Sequence, residues 1–451
     1  MVRRTAWTVT AMLAATGRAW AATTMPSTDP TTAPAASAFD GSTHLLGDPF
    51  GYRSTLADRG ITIEPSIVLD ESKVLRGGLN TRDDAPRGAF LLAVTADTEK
   101  LFGLHGGQVY ALMQDRFGVD ASARLVGDAQ DFAANTNVGA SVELAQLYYR
   151  QTMGPGDGLV VKAGKIDANA DFDVMENGQE FINNSWGGNP TIGPLPSYPN
   201  TSTGLDLFAL PGPNFYGGVG VFDGSFARGV DVGAYGPSHF LDRGDNLFLI
   251  GEVGSRFNTP LDRVIPALAG AKLAGHVGVG GWYSTDPYHT LGGGTTHGTG
   301  GTYVVLDQVL WTPSAGPAIA TGASGEAGAG GPPPIEDPRS VAVDFSYAAA
   351  ESDVNLIDRS IIGGITWVGP LPSRMNDAAG VGVLVADLSP RARRRAGAET
   401  ALEAFYRIRF TPSVSLKPDL QYIFHPDGGG AIGTPLVKDA LVFDVRVEVA
   451  F

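Results

Sequence analysis

The chain has no cysteine in 451 residues. That excludes disulfides, thiol catalysis and cysteine-based metal sites. Past the N-terminus, no apolar run approaches the ~20 residues a transmembrane helix needs. Basic residues are in deficit, with 32 Lys+Arg against 47 Asp+Glu and a formal net charge of −15. Nucleic-acid binding needs a basic footprint, so no nucleic-acid partner is expected. The histidines His44, His105, His239, His276, His289, His297 and His425 are scattered, and none has metal-ligand spacing on a helix. His289 and His297 read as solvated residues of a Gly-rich loop. The fragments Gly278-Val279-Gly280 and Gly380-Val381-Gly382 are followed by no helical pattern, so they make no nucleotide site. Neither a cofactor nor a catalytic residue is expected.

What is present is alternation. In 439–451, DALVFDVRVEVAF, the residues Leu441, Phe443, Val445, Val447, Val449 and Phe451 fall on one face and Asp444, Arg446 and Glu448 on the other. Period 2 marks a strand with one apolar and one wet face. At the other end, Arg3 and Arg4 precede a short apolar stretch, Ala6 to Gly17, and an Ala19-Trp20-Ala21 cleavage pattern. Residues 1–21 therefore read as a secretory signal and 22–44 as a flexible leader rich in Thr, Pro, Ser and Ala. Removing 1–21, which carry three arginines and no acid, would take the charge from −15 to −18. Together the two ends point to a bacterial outer-membrane barrel whose last strand, ending at Phe451, would be read by the barrel-assembly machinery.

From Ile61 onward, strand-like segments alternate with Gly, Pro, Asn and Asp clusters. Strands are expected at 61–72, 88–100, 107–118, 141–153, 158–167, 202–210, 214–223, 245–257, 272–284, 301–311, 340–350, 358–368, 379–388, 400–410, 415–424 and 439–451. The fold class is thus all-β, a transmembrane antiparallel β-barrel of about sixteen strands. A short N-terminal periplasmic helix at 51–60 would cover the barrel closure, with Gly60 as its cap. Tight turns at 154–157, 211–213 and 411–413 are each followed, one strand later, by longer loops at 168–201, 224–244 and 425–438. Segment 312–339, rich in Gly, Ala and Pro, breaks this rule and reads as a disordered insertion at the short-turn side.

Charged side chains cost ~2–4 kcal/mol on the lipid face at the midplane, so they should face the lumen. Leu402, Ala404, Tyr406, Ile408 and Phe410 alternate with Glu403, Arg407 and Arg409. Val341, Val343, Phe345 and Tyr347 alternate with Ala342, Asp344 and Ser346. Tyr148, Tyr283, Tyr422, Phe424 and Phe451 are placed in aromatic girdles. Strands 107–118 and 301–311 fit either parity.

The segments LLGDPFGYRSTLADRGI (45–61), EKLFGLHGG (99–107), FLDRGDNLFLIGEVGSRF (240–257), YVVLDQVLW (303–311) and ETALEAFYRIRFTPSVSLKPDLQYIFHPDG (399–428) resemble the carbohydrate-selective outer-membrane porins, the OprB-like family. The resemblance spans 45–451 and implies a sixteen-stranded pore passing sugars by diffusion. The chain departs from the family pattern in the longer 312–339 segment, in Tyr52, and in loop 168–201.

A sixteen-stranded barrel is wide enough for water, so selectivity must come from what narrows it. Loop 168–201 is the candidate constriction by topological analogy with general porins. It supplies Asn183 and Asn184 for hydroxyls and Trp186 for stacking on a sugar ring. Glu403, Arg407 and Arg409, with Arg116 and Lys162, are expected along the solute pathway, because guanidinium groups make directed hydrogen bonds to hydroxyls. The alternative for each is a packed tryptophan or a solvated wall of compensating ion pairs. Arg391, Arg393, Arg394 and Arg395 are placed in an external loop facing anionic lipid headgroups. The expected function is passive diffusion of saccharides and similar small polar solutes. A general or ion-selective porin and an outer-membrane lipid hydrolase are the competing readings, and monomer and homo-oligomer both stay open.

Overall fold

A computed structural model describes residues 44–133, 141–198, 200–211, 214–224, 246–258, 273–313 and 339–451. The expected signal, nearly all of the leader, loop 225–245 and most of the 312–339 segment lie outside the described residues. Sixteen antiparallel strands close on themselves, each beside its sequence neighbours, with the last against the first. They are β1 (Ile61–Gly78), β2 (Ala85–Asp97), β3 (Gly107–Gly118), β4 (Ser141–Met153), β5 (Leu159–Ile166), β6 (Ser202–Ala209), β7 (Phe215–Asp223) and β8 (Leu247–Asn258). They continue as β9 (Ala274–His289), β10 (Thr295–Trp311), β11 (Ser340–Ala350), β12 (Ile357–Val368), β13 (Ala378–Leu388), β14 (Ala398–Thr411), β15 (Val414–Phe424) and β16 (Lys438–Ala450). Every expected strand is present. Closure leaves no strand edge unpaired, which a bilayer demands because lipid cannot bond to backbone N–H and C=O groups.

Side-chain alternation sorts polar from apolar along the wall. On β11, Phe345 and Tyr347 are 40% and 39% exposed on the outer face, while Asp344 and Ser346 are buried inside. Exposed Phe215, Trp311, Trp367 and Phe410 stand at the short-turn end, and Phe117, Tyr283 and Tyr347 lie toward the other. These bands match the interfacial girdles of outer-membrane barrels. Tyr148 does not join them. It faces inward, buried, and stacks on Tyr110 at 5.1 Å. The ambiguous strands resolve for a physical reason. In β3 the inward side carries Tyr110, Leu112, Gln114 and Arg116, because loop segments inside the barrel cover it and admit apolar residues there.

Two connections differ from expectation. β9 and β10 run on as a hairpin joined by residues 290–294 alone, so His289 and His297 are strand residues rather than loop residues. The β8–β9 connection, 259–273, is long although it lies at the short-turn end. The short helix is present as α1 (Tyr52–Asp58), followed by Gly60 at φ +89°, a conformation that favours glycine. Its Arg53 guanidinium donates to the carbonyls of Ile63 and Phe451, so α1 ties β1 to the end of β16 across the closing seam. Beside that seam, Arg446 makes two bonds to Asp70 at 2.7 and 3.0 Å, and Arg87 reaches Asp444 at 2.9 Å.

Candidate functional site

The connection between β5 and β6, residues 167–201, turns into the barrel. We call it the inner loop. Its backbone hangs on carboxylates that point inward from the wall. Asp173 N donates to Glu252 on β8 at 3.0 Å, and Asn177 N to Asp307 on β10 at 2.9 Å. Ile182 N donates to Glu403 on β14 at 2.5 Å. A carboxylate accepting several N–H groups makes strong, charge-assisted bonds. Glu403 also accepts Trp186 Nε1 at 2.9 Å and Asn183 N at 3.3 Å. Further along, Asn189 bonds Ser346 and Ser360, and Thr366 donates to the Asn177 carbonyl.

The anchoring carboxylates on β8 and β10 belong to one buried network. Tyr216 and Tyr303 donate to Glu252, and the Tyr216 hydroxyl lies 2.7 Å from His276 Nε2. His276 Nδ1 in turn lies 3.4 Å from Asp307. Sequence reading gave none of these residues this role. The available signal was Glu252, the single acid of β8, which by alternation shares the lumen-facing side with Arg256.

Three acids of the loop meet three groups of wall cations. Asp171 pairs with Lys162 on β5 at 2.8 Å, and Glu176 with Arg256 on β8 at 3.0 Å. Glu180 contacts both Arg407 on β14 and Lys417 on β15, the latter at 3.2 Å. Against the upward push of burial, Arg407 and Lys417 hold the Glu180 carboxyl below its ordinary value. Asp173 behaves oppositely: burial, reinforced by nearby Glu252, raises its carboxyl well above the usual range. Asp167, where the loop leaves β5, is pushed by burial up to about 7.

A small helix, α2 (Asn184–Gly187), seats the loop's aromatic pair. Phe181 and Trp186 stack at 4.0 Å and 12°, and the edge of Phe405 meets Phe181 at 5.0 Å. They fill a notch cut by glycines on β12 and β13. A Cβ at Gly364 would stand 2.7 Å from the indole, and one at Gly382 closer still. The Gly380-Val381-Gly382 fragment is thus a packing notch.

These positions correct part of the expected pathway. Trp186 is 2% exposed and Asn183 1%, so neither offers a free face or amide to a solute; both are anchors. Asn183 accepts from Ser185 N and donates to Gln421. Glu403, 2% exposed, holds the loop instead of lining the passage. Asn184 is exposed, and its N–H donates to the Asp131 carbonyl of the β3–β4 loop. Arg407 is at the loop contact. Arg409 lies nearer the short-turn end, with its N–H on Asp377 and its guanidinium on the Pro412 carbonyl. Arg116 is buried against Glu143. The arginine run at 391–395 ties loops together rather than standing free for lipid: Arg391 pairs with Asp353, Arg394 with Asp427, and Arg395 reaches the Gly429 carbonyl. Among the described residues, no group of three or more His, Cys, Asp or Glu is placed to hold a metal ion.

A closed sixteen-stranded barrel with an inward-folded, charge-paired loop defines an outer-membrane porin. Residues 81–451 match the family model described as carbohydrate-selective porin, OprB family, and the chain belongs to that family. Porin B of Pseudomonas aeruginosa is 24% identical over 473 residues, covering 92% of this chain and 93% of that protein. The high-pH structure of Pseudomonas putida OprB superposes with a TM-score of 0.74 at 18% identity, covering 92% of this chain and all of that one. Its low-pH structure gives 0.56 at 18% identity, covering 91% and 99%. The protein is therefore an outer-membrane porin for carbohydrate diffusion, and its family and fold are those of channel proteins.

Proposed function

We propose that the inner loop is the selectivity constriction of this porin, and that it favours uncharged saccharides because its charges are compensated in place. The observation that carries this reading is the matching of Asp171, Glu176 and Glu180 to Lys162, Arg256 and the Arg407–Lys417 pair. An ion entering such a site meets no strong net charge to replace its hydration. A hydroxylated solute meets paired donors and acceptors that can exchange hydrogen bonds with it as water does. Diffusion down a gradient then needs no cofactor and no covalent step. Specificity lies in the polar geometry of the aperture, with Arg407 and the exposed Asn184 as the members of the expected pathway still placed to meet a solute.

The test is the reversal potential of single channels under a salt gradient. Glu180→Gln removes the acid that faces both Arg407 and Lys417 and shifts selectivity toward anions. Arg256→Gln removes the positive charge beside Glu176 and shifts it toward cations. Opposite shifts, each with weaker block by glucose, are expected. Unchanged potentials and unchanged block in both variants would remove the inner loop from the conduction path.

A further inference from the structure

The inner face of β14 carries two carboxylates four residues apart, about 13 Å along the strand. Glu403 holds the inner loop. Glu399, nearer the long-loop end and 0% exposed, holds a different segment. It accepts Ala129 N at 2.7 Å, Gln130 N at 3.0 Å and Gln130 Nε2 at 3.1 Å, all from the connection between β3 and β4. It also accepts Asp427 N of the β15–β16 loop at 2.6 Å. Residues 119–133 of the β3–β4 connection thus form a strap. One part of it is tied to β1 and the residue pair beyond its end, where Leu79 N and Asn80 N donate to the Leu125 carbonyl at 2.9 and 3.0 Å. The other part reaches β14, and β16 and β15 lie between those two strands. Leu125, Val126 and Phe132 of the strap are fully buried.

The strap lies against the inner loop where the aromatic pair is seated. Asn184 N donates to the Asp131 carbonyl at 2.9 Å, and Ser185 Oγ to the Gln130 carbonyl at 3.4 Å. On β15, one amide joins both segments. Gln421 Nε2 donates to the Phe132 carbonyl at 2.8 Å, and its Oε1 accepts Asn183 Nδ2 at 3.2 Å. The strap is also braced within itself, because Asp128 accepts Ser122 Oγ at 2.6 Å and Phe132 N at 2.7 Å. A buried carboxylate is costly unless it is hydrogen-bonded. The donors that Glu399 accepts come from loops, so the carboxylate and the seated strap depend on each other.

We propose that Glu399 is a positioning residue for the constriction and acts on it through the strap. This rests on the reading of the inner loop as the constriction. Glu399 meets no solute. It fixes the strap at residues 129 and 130, and the carbonyls of Gln130 and Asp131 then hold residues 184 and 185, next to Trp186. The inner loop is clamped twice from one strand: directly by Glu403, and by Glu399 through a second loop laid against it. Removing Glu399 leaves the Glu403 bonds to Ile182 N and Trp186 Nε1 in place and frees only the strap side of the clamp.

The experiment uses the full chain with Trp186 as its single tryptophan, carrying Glu399, Glu399→Ala or Glu399→Gln. It reads amide exchange, acrylamide quenching of Trp186, and glucose block of single-channel current. Glu399→Ala should speed exchange across 128–132 at least about tenfold, the weight of one hydrogen bond to a charged group. Trp186 should become more open to quenching, the half-blocking glucose concentration should rise, and exchange in β16 should stay at the wild-type rate. Glu399→Gln keeps one acceptor oxygen and should fall between the two. It alone decides the matter where Glu399→Ala does not insert. Unchanged exchange across 128–132 would show that Glu399 does not hold the strap. Faster exchange there with wild-type quenching of Trp186 would show that the strap does not position the inner loop. Either result overturns the proposal. An exposed Trp186 with unchanged glucose block would uphold the clamp and overturn the inner loop as the constriction.

Discussion

Two arcs of one barrel wall put their inward charges to different work. From β8 through β15, Glu252, Asp307 and Glu403 accept backbone N–H groups of the inner loop, and Arg256, Arg407 and Lys417 pair with its acids. From β16 through β4, the charges bond strand to strand instead: Arg446 to Asp70, Arg87 to Asp444, Arg116 to Glu143. The strands alternate alike in both arcs. The difference lies in whether a buried charge finds its partner in the wall or in a loop. One arc holds the constriction, and the other holds the barrel shut.

Changes to either arc should therefore separate loop order from barrel stability. Glu403→Ala has the largest expected effect. It strips the acceptor from Ile182 N and Trp186 Nε1, hydrogen bonds to a charged group worth ~1.5–3 kcal/mol each. The loop should lose about 3–6 kcal/mol of seating on that bookkeeping, read as accelerated amide exchange across 176–190 with β16 unaffected. Arg446→Ala should do the reverse. Breaking this buried pair costs at most ~3–5 kcal/mol, reduced by Arg87, which stays 3.7 Å from Asp70, so the thermal midpoint of the barrel should fall while exchange in the inner loop stays slow. Equal loosening of the loop by both variants would erase the distinction between the arcs.

Gly382→Val comes next. Its side chain would occupy the space of the Trp186 indole, and overpacking costs ~1–3 kcal/mol. Fluorescence of Trp186, in a chain whose other tryptophans are replaced, should shift to the red. An unshifted spectrum would mean that the notch can widen.

The smallest effect is one of pH. The seated Asp167 carboxyl is raised to about 7 from an ordinary 3.8, chiefly by burial. The seated loop thus binds a proton more readily than a released one. Its stability is greatest below about 4 and declines as pH rises through about 7. Asp167→Asn keeps a side-chain acceptor for Asn169 N and cannot ionise. It should remove this slope and match the wild type below about pH 4 while exceeding it at pH 8. A wild-type loop whose exchange is flat from pH 5 to 8 would show that the carboxyl does not titrate there.

Much of the barrel could be read directly from residue order. Alternation such as Leu402-Glu403-Ala404, cut by turns such as Thr411-Pro412-Ser413, places strands locally. Loop 168–201 was legible as a long segment after the fifth strand, but its inward turn was an expectation taken from general porins by topology alone. Its contacts were not legible. Trp186 between two asparagines and a Gly pair reads the same whether the indole faces water or a glycine notch. That notch exists only once Gly364 and Gly382 are brought side by side by strand register, some eighteen residues apart in sequence. The parity of β3 was hidden for a related reason. Leu112 can face inward only because other segments cover it. Arg407 and Arg116 were placed on the correct face, but their partners, Glu180 and Glu143, come from elsewhere in the chain.

The most direct test of the central claim is single-channel conductance of Glu403→Ala beside the wild type, with and without glucose. A loop-made constriction predicts a larger conductance in the variant and block by glucose in the wild type alone. Identical conductance with identical block would show that the wall, and not the loop it holds, sets the passage.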